Sequence, residues 1–160
     1  DYLREGTRSR LRDDPCFAPR HAAGIELAAM NALHLGFPAA SFDLVACLQN
    51  GISAFSIDPA ALVREALRVT RPGGLVLFSS YAERFWEARL EWFRVQAHHG
   101  LLGEIDEAAT GAGTIVCKDG FRATTFGPGR FEDLCRALGV SARIEEVGGA
   151  SVFCEIHRAP

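Results

Sequence analysis

Phe37-Pro38-Ala39-Ala40-Ser41-Phe42-Asp43-Leu44-Val45-Ala46-Cys47-Leu48, followed about 30 residues later by Leu67-Arg68-Val69-Thr70-Arg71-Pro72-Gly73-Gly74-Leu75-Val76-Leu77, decides how this chain is read. The first stretch is a turn and then an apolar run of strand length, Phe42 to Leu48, bounded by Pro38 and by Gln49-Asn50-Gly51. The second is a helix end, a Pro-Gly-Gly turn and a second buried strand, Leu75 to Ser79. Between them Asp58-Pro59 starts a helix. Asp is a favoured N-cap, and Pro in the first helical position gives up an N–H that had no partner. Leu62, Val63, Ala66, Leu67 and Thr70 then share one helical face. Strand, helix and strand in about 40 residues make a βαβ unit, so the strands should run parallel with a right-handed crossover.

Working outward, Ala82 to Gly100 reads as an amphipathic helix carrying Phe85, Trp86, Leu90, Trp92 and Phe93. Thr114 to Thr125 reads as a hairpin turning at Asp119-Gly120. Arg130 to Leu138 is a helix stopped by Gly139. Ala142 to Val147 and Ser151 to His157 should pair as an antiparallel hairpin across Gly148-Gly149. Upstream, residues 2–12 have helical character up to Asp13-Asp14-Pro15, and Ile25 to Met30 reads as a short strand. The class is α/β.

The 160 residues fit one domain, and 48% hydrophobic with 23% charged residues is ordinary for a soluble globular protein. A net charge of -3 argues against a nucleic-acid partner, and the run Arg4, Arg8, Arg10 and Arg12 reads as a solvated helix face. The five cysteines (Cys16, Cys47, Cys117, Cys135, Cys154) show neither CxxC nor metal-ligand spacing, so no metal is expected. Their odd number and scatter favour a reducing, cytoplasmic setting. No apolar run approaches a membrane span. Gly111-Ala112-Gly113 precedes a strand instead of a helix and so cannot cradle a phosphate. Ser79-Ser80 lies outside any nucleophile elbow, and Asp43 reads as a strand-start residue.

The pair of stretches quoted first resembles the middle of the class I S-adenosylmethionine-dependent methyltransferases, where "LPFPDGSFDLV" precedes "VLKPGGRLLI" at this distance. The likeness runs over essentially the whole chain, and it is greatest to the small-molecule, ubiquinone-biosynthesis-like branch (methyltransferase type 11). It implies a Rossmann-like sheet ordered 3-2-1-4-5-7-6 with only the seventh strand antiparallel. Ile25–Met30, Phe42–Leu48, Leu75–Ser79 and the closing hairpin then stand for strands three to seven. The family's glycine-rich loop and first two strands would precede Asp1, so the resemblance implies a C-terminal portion of a longer protein with the N-terminal strands missing. The strand at Phe42 would then carry an unpaired edge. One partial domain is expected, with residues 1–81 and 127–160 as core and 82–126 as a substrate-side insert.

For function, the resemblance implies methyl transfer from S-adenosyl-L-methionine to a small molecule. The cofactor brings the reactive group, and the protein chiefly aligns the reactants. Asn31 and Ala32 fall where the family has an acid and a small residue against the adenine, and Leu33 would pack near the base. Asn31 replaces the acid, keeping an acceptor oxygen without its charge. Leu48, Gln49 and Asn50 fall at the carboxyl end of a central strand, near the methionine part of the cofactor and the acceptor. The family's NPPY arrangement for nucleic-acid or glutamine acceptors is absent there. Gln49, Asn50 and His98 are the catalytic candidates. Tyr81, Arg84, Trp86, His98, His99 and Phe121 belong to the substrate-side region, where a histidine at a helix end also simply suits the dipole. The alternative is a degenerate methyltransferase-fold module that binds without catalysing.

Overall fold

The computed structural model describes residues 28–160. A four-stranded sheet is built from β1 (Phe42–Cys47), β2 (Thr70–Tyr81), β5 (Ala142–Val147) and β6 (Ser151–His157), in the order β1-β2-β6-β5. β1 and β2 run parallel, and β6 is antiparallel to both β2 and β5. This is the 4-5-7-6 half of the expected order. Helices α1 (Gly51–Ala54), α2 (Pro59–Val69), α3 (Trp86–His98) and α4 (Pro128–Leu138) and the hairpin β3 (Thr114–Val116) to β4 (Arg122–Thr124) complete the description.

The crossover helix forms as its sequence dictates. Asp58 accepts hydrogen bonds from the N–H groups of Ala60 and Ala61 at 3.0 and 3.1 Å, and Pro59 occupies the first turn. Leu62, Val63, Ala66 and Val69 are buried on its inner face. α2 and α4 cover one face of the sheet, which presents Val45, Cys47, Val76, Phe78, Val152, Cys154 and Ile156. Phe131 of α4 and Phe126 meet edge to face at 4.7 Å in this core.

β2 begins at Thr70, five residues before the expected Leu75, and ends at Tyr81. Its pairing with β1 jumps from Phe42–Thr70 to Leu44–Leu75, so residues 71–74 form a bulge inside the strand. That is why two glycines follow Pro72. Gly73 has φ of 77°, and a Cβ on Gly74 would come within 2.8 Å of the Asp43 carbonyl oxygen. Arg71 straddles the bulge to the Asp43 carboxylate at 2.8 and 3.0 Å.

Some expectations need correction. β1 is not the buried strand its apolar run suggests, because Leu44 is 55% exposed. Its free edge agrees with the expectation, since among the described residues β1 has a neighbour on one side only. Half of the strand read at Ile25–Met30 lies outside the described residues, and 28–30 join no ladder. The helix at 2–12, its arginines, and Cys16 fall outside them entirely. The 82–100 helix opens with a 3-10 turn (Glu83–Phe85), and Trp92 faces solvent at 57% exposed. Arg89 takes the inward place.

The segment before β1 is fixed through one ion pair. Arg68 donates from Nε and Nη2 to Glu65 at 2.7 Å each, and also holds the carbonyls of Phe37 and Leu35 at 2.9 and 3.0 Å. Glu65 in turn accepts from the Leu35 N–H at 2.7 Å. The hydrogen bond from Arg68 holds the Glu65 carboxyl below its usual range. A depressed folded pKa contributes stability above the unfolded value, near 4.3, that is lost as pH falls through the folded one. The stability gap between the native chain and Glu65→Gln, read by urea unfolding, should therefore be present at pH 7 and close below about pH 4. Phe131→Ala, emptying a fully buried site, should cost about 3–5 kcal/mol in the same assay.

Candidate functional site

The parallel pairing of β1 and β2 puts both carboxyl ends on one edge of the sheet. There the chain leaves β1 through two left-handed residues, Gln49 at φ 54° and Asn50 at φ 67°. Asn tolerates that region; Gln does so at a cost, a strain held by the surroundings. Gly51 follows because a Cβ would meet Cys47 Sγ at 2.6 Å and the Phe55 ring at 3.1 Å.

The surroundings are a buried polar network. Ser79 clasps the turn twice, its carbonyl accepting from the Asn50 N–H and its hydroxyl from the Gln49 N–H, both at 2.9 Å. Ser80 donates to Asn50 Oδ1 at 2.7 Å, and its oxygen accepts from the Phe126 N–H at 3.0 Å. Asn50 Nδ2 donates to the Thr124 carbonyl at 3.2 Å, which Ser53 also reaches at 2.6 Å. Both ends of the Asn50 amide are thus engaged, and the residue is 2% exposed. Gln49 beside it is exposed.

Two open cavities lie near this turn. One, of about 220 Å³, is walled by Gln49, Asn50, Tyr81, Phe93, Gln96 and Phe121, among others. The other, of about 290 Å³, is apolar and walled by Ala32, Leu35, Val45, Cys47, Leu48 and Phe55, among others. Burial pushes the Cys47 thiol up to about 11, so it stays protonated at neutral pH and is a poor nucleophile.

The expected site residues divide between these places. Ala32 and Leu48 line the apolar cavity; Gln49 and Asn50 line the other. Leu33 packs against the main core. Asn31 is exposed, its Oδ1 accepting from the Leu33 N–H at 2.9 Å and its carbonyl from the His34 N–H at 3.0 Å, which closes a turn. His98 is exposed in the last turn of α3, stacked edge-on with His99 at 5.4 Å, and lines neither cavity. Arg84 pairs with Glu146.

Arg89 is the residue that sequence reading missed. It is fully buried beneath α3, where Leu90, Phe93, Ile105, Ile115, Cys117 and Ala123 form a second apolar cluster between helix and hairpin. Its guanidinium donates to Thr125 Oγ1 at 2.8 Å and to the Ala123 carbonyl at 2.9 Å, and lies 4.8 Å from the Tyr81 ring centre and 5.4 Å from that of Phe93. Nε has no hydrogen-bond partner among the described residues. Desolvation lowers its pKa to about 10, which leaves it cationic at neutral pH. The signal was present: Arg89 lies three residues after Trp86 and four before Phe93, on the apolar face.

Among the described residues no cluster could hold a metal ion, no helix is long and apolar enough to cross a membrane, and the four cysteines are free. Gly111-Ala112-Gly113 makes a tight turn into β3, closed by two hydrogen bonds between Gly111 and Thr114.

The order β1-β2-β6-β5, with β6 antiparallel to its neighbours, is the order that the resemblance implied for strands four to seven. Residues 5–78 match the model of the methyltransferase domain family. A putative S-adenosyl-L-methionine-dependent methyltransferase from Methanococcus maripaludis superposes with a TM-score of 0.61 at 15% identity, over 98% of this chain and 62% of that one. An S-adenosylmethionine-dependent methyltransferase from Methanosarcina mazei gives 0.57 at 17%, over 84% and 67%. The 1,6-didemethyltoxoflavin-N1-methyltransferase of Burkholderia thailandensis, whose structure holds 1,6-didemethyltoxoflavin and S-adenosylhomocysteine, gives 0.58 at 14%, over 91% and 57%. The chain thus spans 57–67% of the length of these three proteins. No curated protein matches the sequence. The family match and the shared fold bear out the resemblance to S-adenosylmethionine-dependent methyltransferases read from the sequence.

Ser80→Ala should cost about 1–3 kcal/mol, because it strands both Asn50 Oδ1 and the Phe126 N–H. A double-mutant cycle with Asn50→Ala, read by chemical denaturation, should show coupling of at least about 0.5 kcal/mol.

Proposed function

We propose that this chain takes part in S-adenosylmethionine-dependent methyl transfer to a small-molecule acceptor, with the apolar cavity on the cofactor side and the Gln49–Tyr81–Phe121 cavity on the acceptor side. The observation that carries this is a pair of cavities that meet the chain where it leaves β1, one lined by Leu48 and the other by Gln49 and Asn50. The donor set fits the cofactor: an apolar slot suits a flat adenine, and the exposed Gln49 amide beside it suits the charged methionine portion. S-adenosylmethionine would supply a methyl group already activated on a sulfonium sulfur.

What remains for the chain's own residues is to bind and align. Ala32 and Leu48 would flank the adenosyl group. Leu33, anchored in the core, would fix the segment that carries Asn31, whose Oδ1 keeps a second lone pair for an adenine amino group. Gln49 would place its amide at the junction of the cavities, and Asn50 would hold the turn. Tyr81, Phe93 and Phe121 would close the acceptor side and exclude water. Residues 82–126 would then act as the acceptor-side part, on a core of 1–81 and 127–160. His98, outside both cavities, suits its helix C-terminus better than a proton-transfer role. The net charge of -3 and the free thiols support a cytoplasmic protein working on a small molecule and not on nucleic acid.

One observation favours the second reading, a binding module of the same fold without catalysis. Asn31 lacks the charge of an acid and spends an oxygen lone pair on its own turn. Calorimetric titration of the full chain with S-adenosylmethionine and S-adenosylhomocysteine separates the two. Dissociation constants in the micromolar range, about -8 kcal/mol, and at least tenfold weakening by Ala32→Trp are expected of the enzyme. A folded chain that binds neither compound leaves the module.

A further inference from the structure

The acceptor-side cavity is aromatic, walled by Tyr81, Trp92, Phe93 and Phe121. Behind it stands a cation. Arg89 is entirely out of solvent, and its guanidinium packs against Tyr81 and Phe93, both of which line the cavity. The Ala123 carbonyl that it holds belongs to a third wall residue. The guanidinium therefore lies one side chain's thickness from the cavity.

A buried guanidinium ordinarily finds a carboxylate, and the pair offsets the desolvation of each. The ion-paired arginines among the described residues all face an acid: Glu65 for Arg68, Asp43 for Arg71, Glu146 for Arg84, Glu107 for Arg94, Asp133 for Arg136 and Glu145 for Arg143. All of those are on the surface or partly exposed. Arg89, the one arginine fully buried among the described residues, pairs with neutral oxygens alone, those of Thr125, Ala123 and, at 3.4 Å, Gly113. Neutral acceptors and the faces of the Tyr81, Trp86 and Phe93 rings leave it without a counter-charge, and Nε has no hydrogen-bond partner among the described residues. As a device for joining α3 to the hairpin, a neutral donor would serve without that cost.

We propose that Arg89 makes this cavity selective for an anion: the acceptor is an aromatic or other planar small molecule bearing a carboxylate, drawn in by the charge behind the Tyr81–Phe93 wall. The inference rests on reading this cavity as the acceptor side, yet it concerns the cavity's own charge preference and needs no cofactor to be tested. Across the Tyr81–Phe93 wall the field of the guanidinium attracts a carboxylate and acts little on a neutral isostere. Tyr81 and Phe93 would present their faces to the ring and their edges to the polar groups.

The test uses benzoate and benzamide, which match in shape and differ in charge. Each is titrated into the full chain without cofactor while the arginine Nε–H resonances are followed by NMR, with Arg89 assigned by difference from Arg89→Lys. Benzoate should bind at least about tenfold tighter than benzamide, the scale of two unit charges attracting across one side chain at an intermediate dielectric, and should shift the Arg89 Nε–H signal. Arg89→Gln should bring the two affinities within about twofold, while Arg89→Lys keeps part of the preference. Equal affinities for the two in the native chain, or no binding of benzoate, overturn the proposal. The native-chain comparison stands even if Arg89→Gln fails to fold. Benzoate selectivity in a chain that binds neither S-adenosylmethionine nor S-adenosylhomocysteine would keep the anion pocket and remove the methyl-transfer reading.

Discussion

The hydrogen bond from Ser80 to Asn50 Oδ1 is the point on which the site depends. Parallel strands cannot be joined by a tight turn, so β1 must hand the chain to a crossover helix at its carboxyl end. That hand-over breaks the ladder, and the freed groups need partners in a place where water is largely excluded. Ser79 and Ser80 on the neighbouring strand provide them, at 2.7–2.9 Å. Through the Thr124 carbonyl and the Phe126 N–H the same network reaches the hairpin's last strand and its exit. One buried polar cluster therefore sets both the mouth of the sheet and the position of the residues over it.

Much of the fold was legible because its signals are local and agree with one another. Asp58-Pro59 names a helix start through capping chemistry, and Gly139 at φ 65° names a stop. Asp119-Gly120 and Gly148-Gly149 name two hairpins. Where the reading erred, the missing information was tertiary. An apolar run such as Phe42–Leu48 states that a strand has neighbours, not where they are, and so gave no hint that Leu44 is exposed among the described residues. The Pro72-Gly73-Gly74 turn was expected to precede its strand; the closing segment instead reaches it, with Gly73 donating to the Arg158 carbonyl at 2.9 Å, and the ladder runs on either side of the bulge.

Which residues line the two cavities was partly legible by position, and the bonding among them was not. Leu48, Gln49 and Asn50 do stand at the cavities, because strand ends gather there in any sheet of this kind. The work that Asn50 does in the turn could not be read from its letter, since it depends on Ser80, thirty residues on, and Thr124, seventy-four on. Ser79-Ser80, set aside as a nucleophile, matters as a pair of buried hydroxyls. Arg89 escaped notice because an arginine in a helix is ordinarily taken as a surface residue, and only the apolar residues three before and four after it argue otherwise.

Besides the Thr125 hydroxyl, Arg89 holds main-chain oxygens, that of Ala123 at 2.9 Å and, more loosely, that of Gly113 at 3.4 Å. A carbonyl is present whatever side chain its residue bears. The hairpin can consequently exchange many of its side chains for others while the clamp that seats it stays intact, provided the backbone keeps its path. A cavity whose wall is fastened by its backbone is free to vary its lining. In such a design the charge behind the wall is the constant, and the shape of the cavity in front of it is what mutation can most readily change.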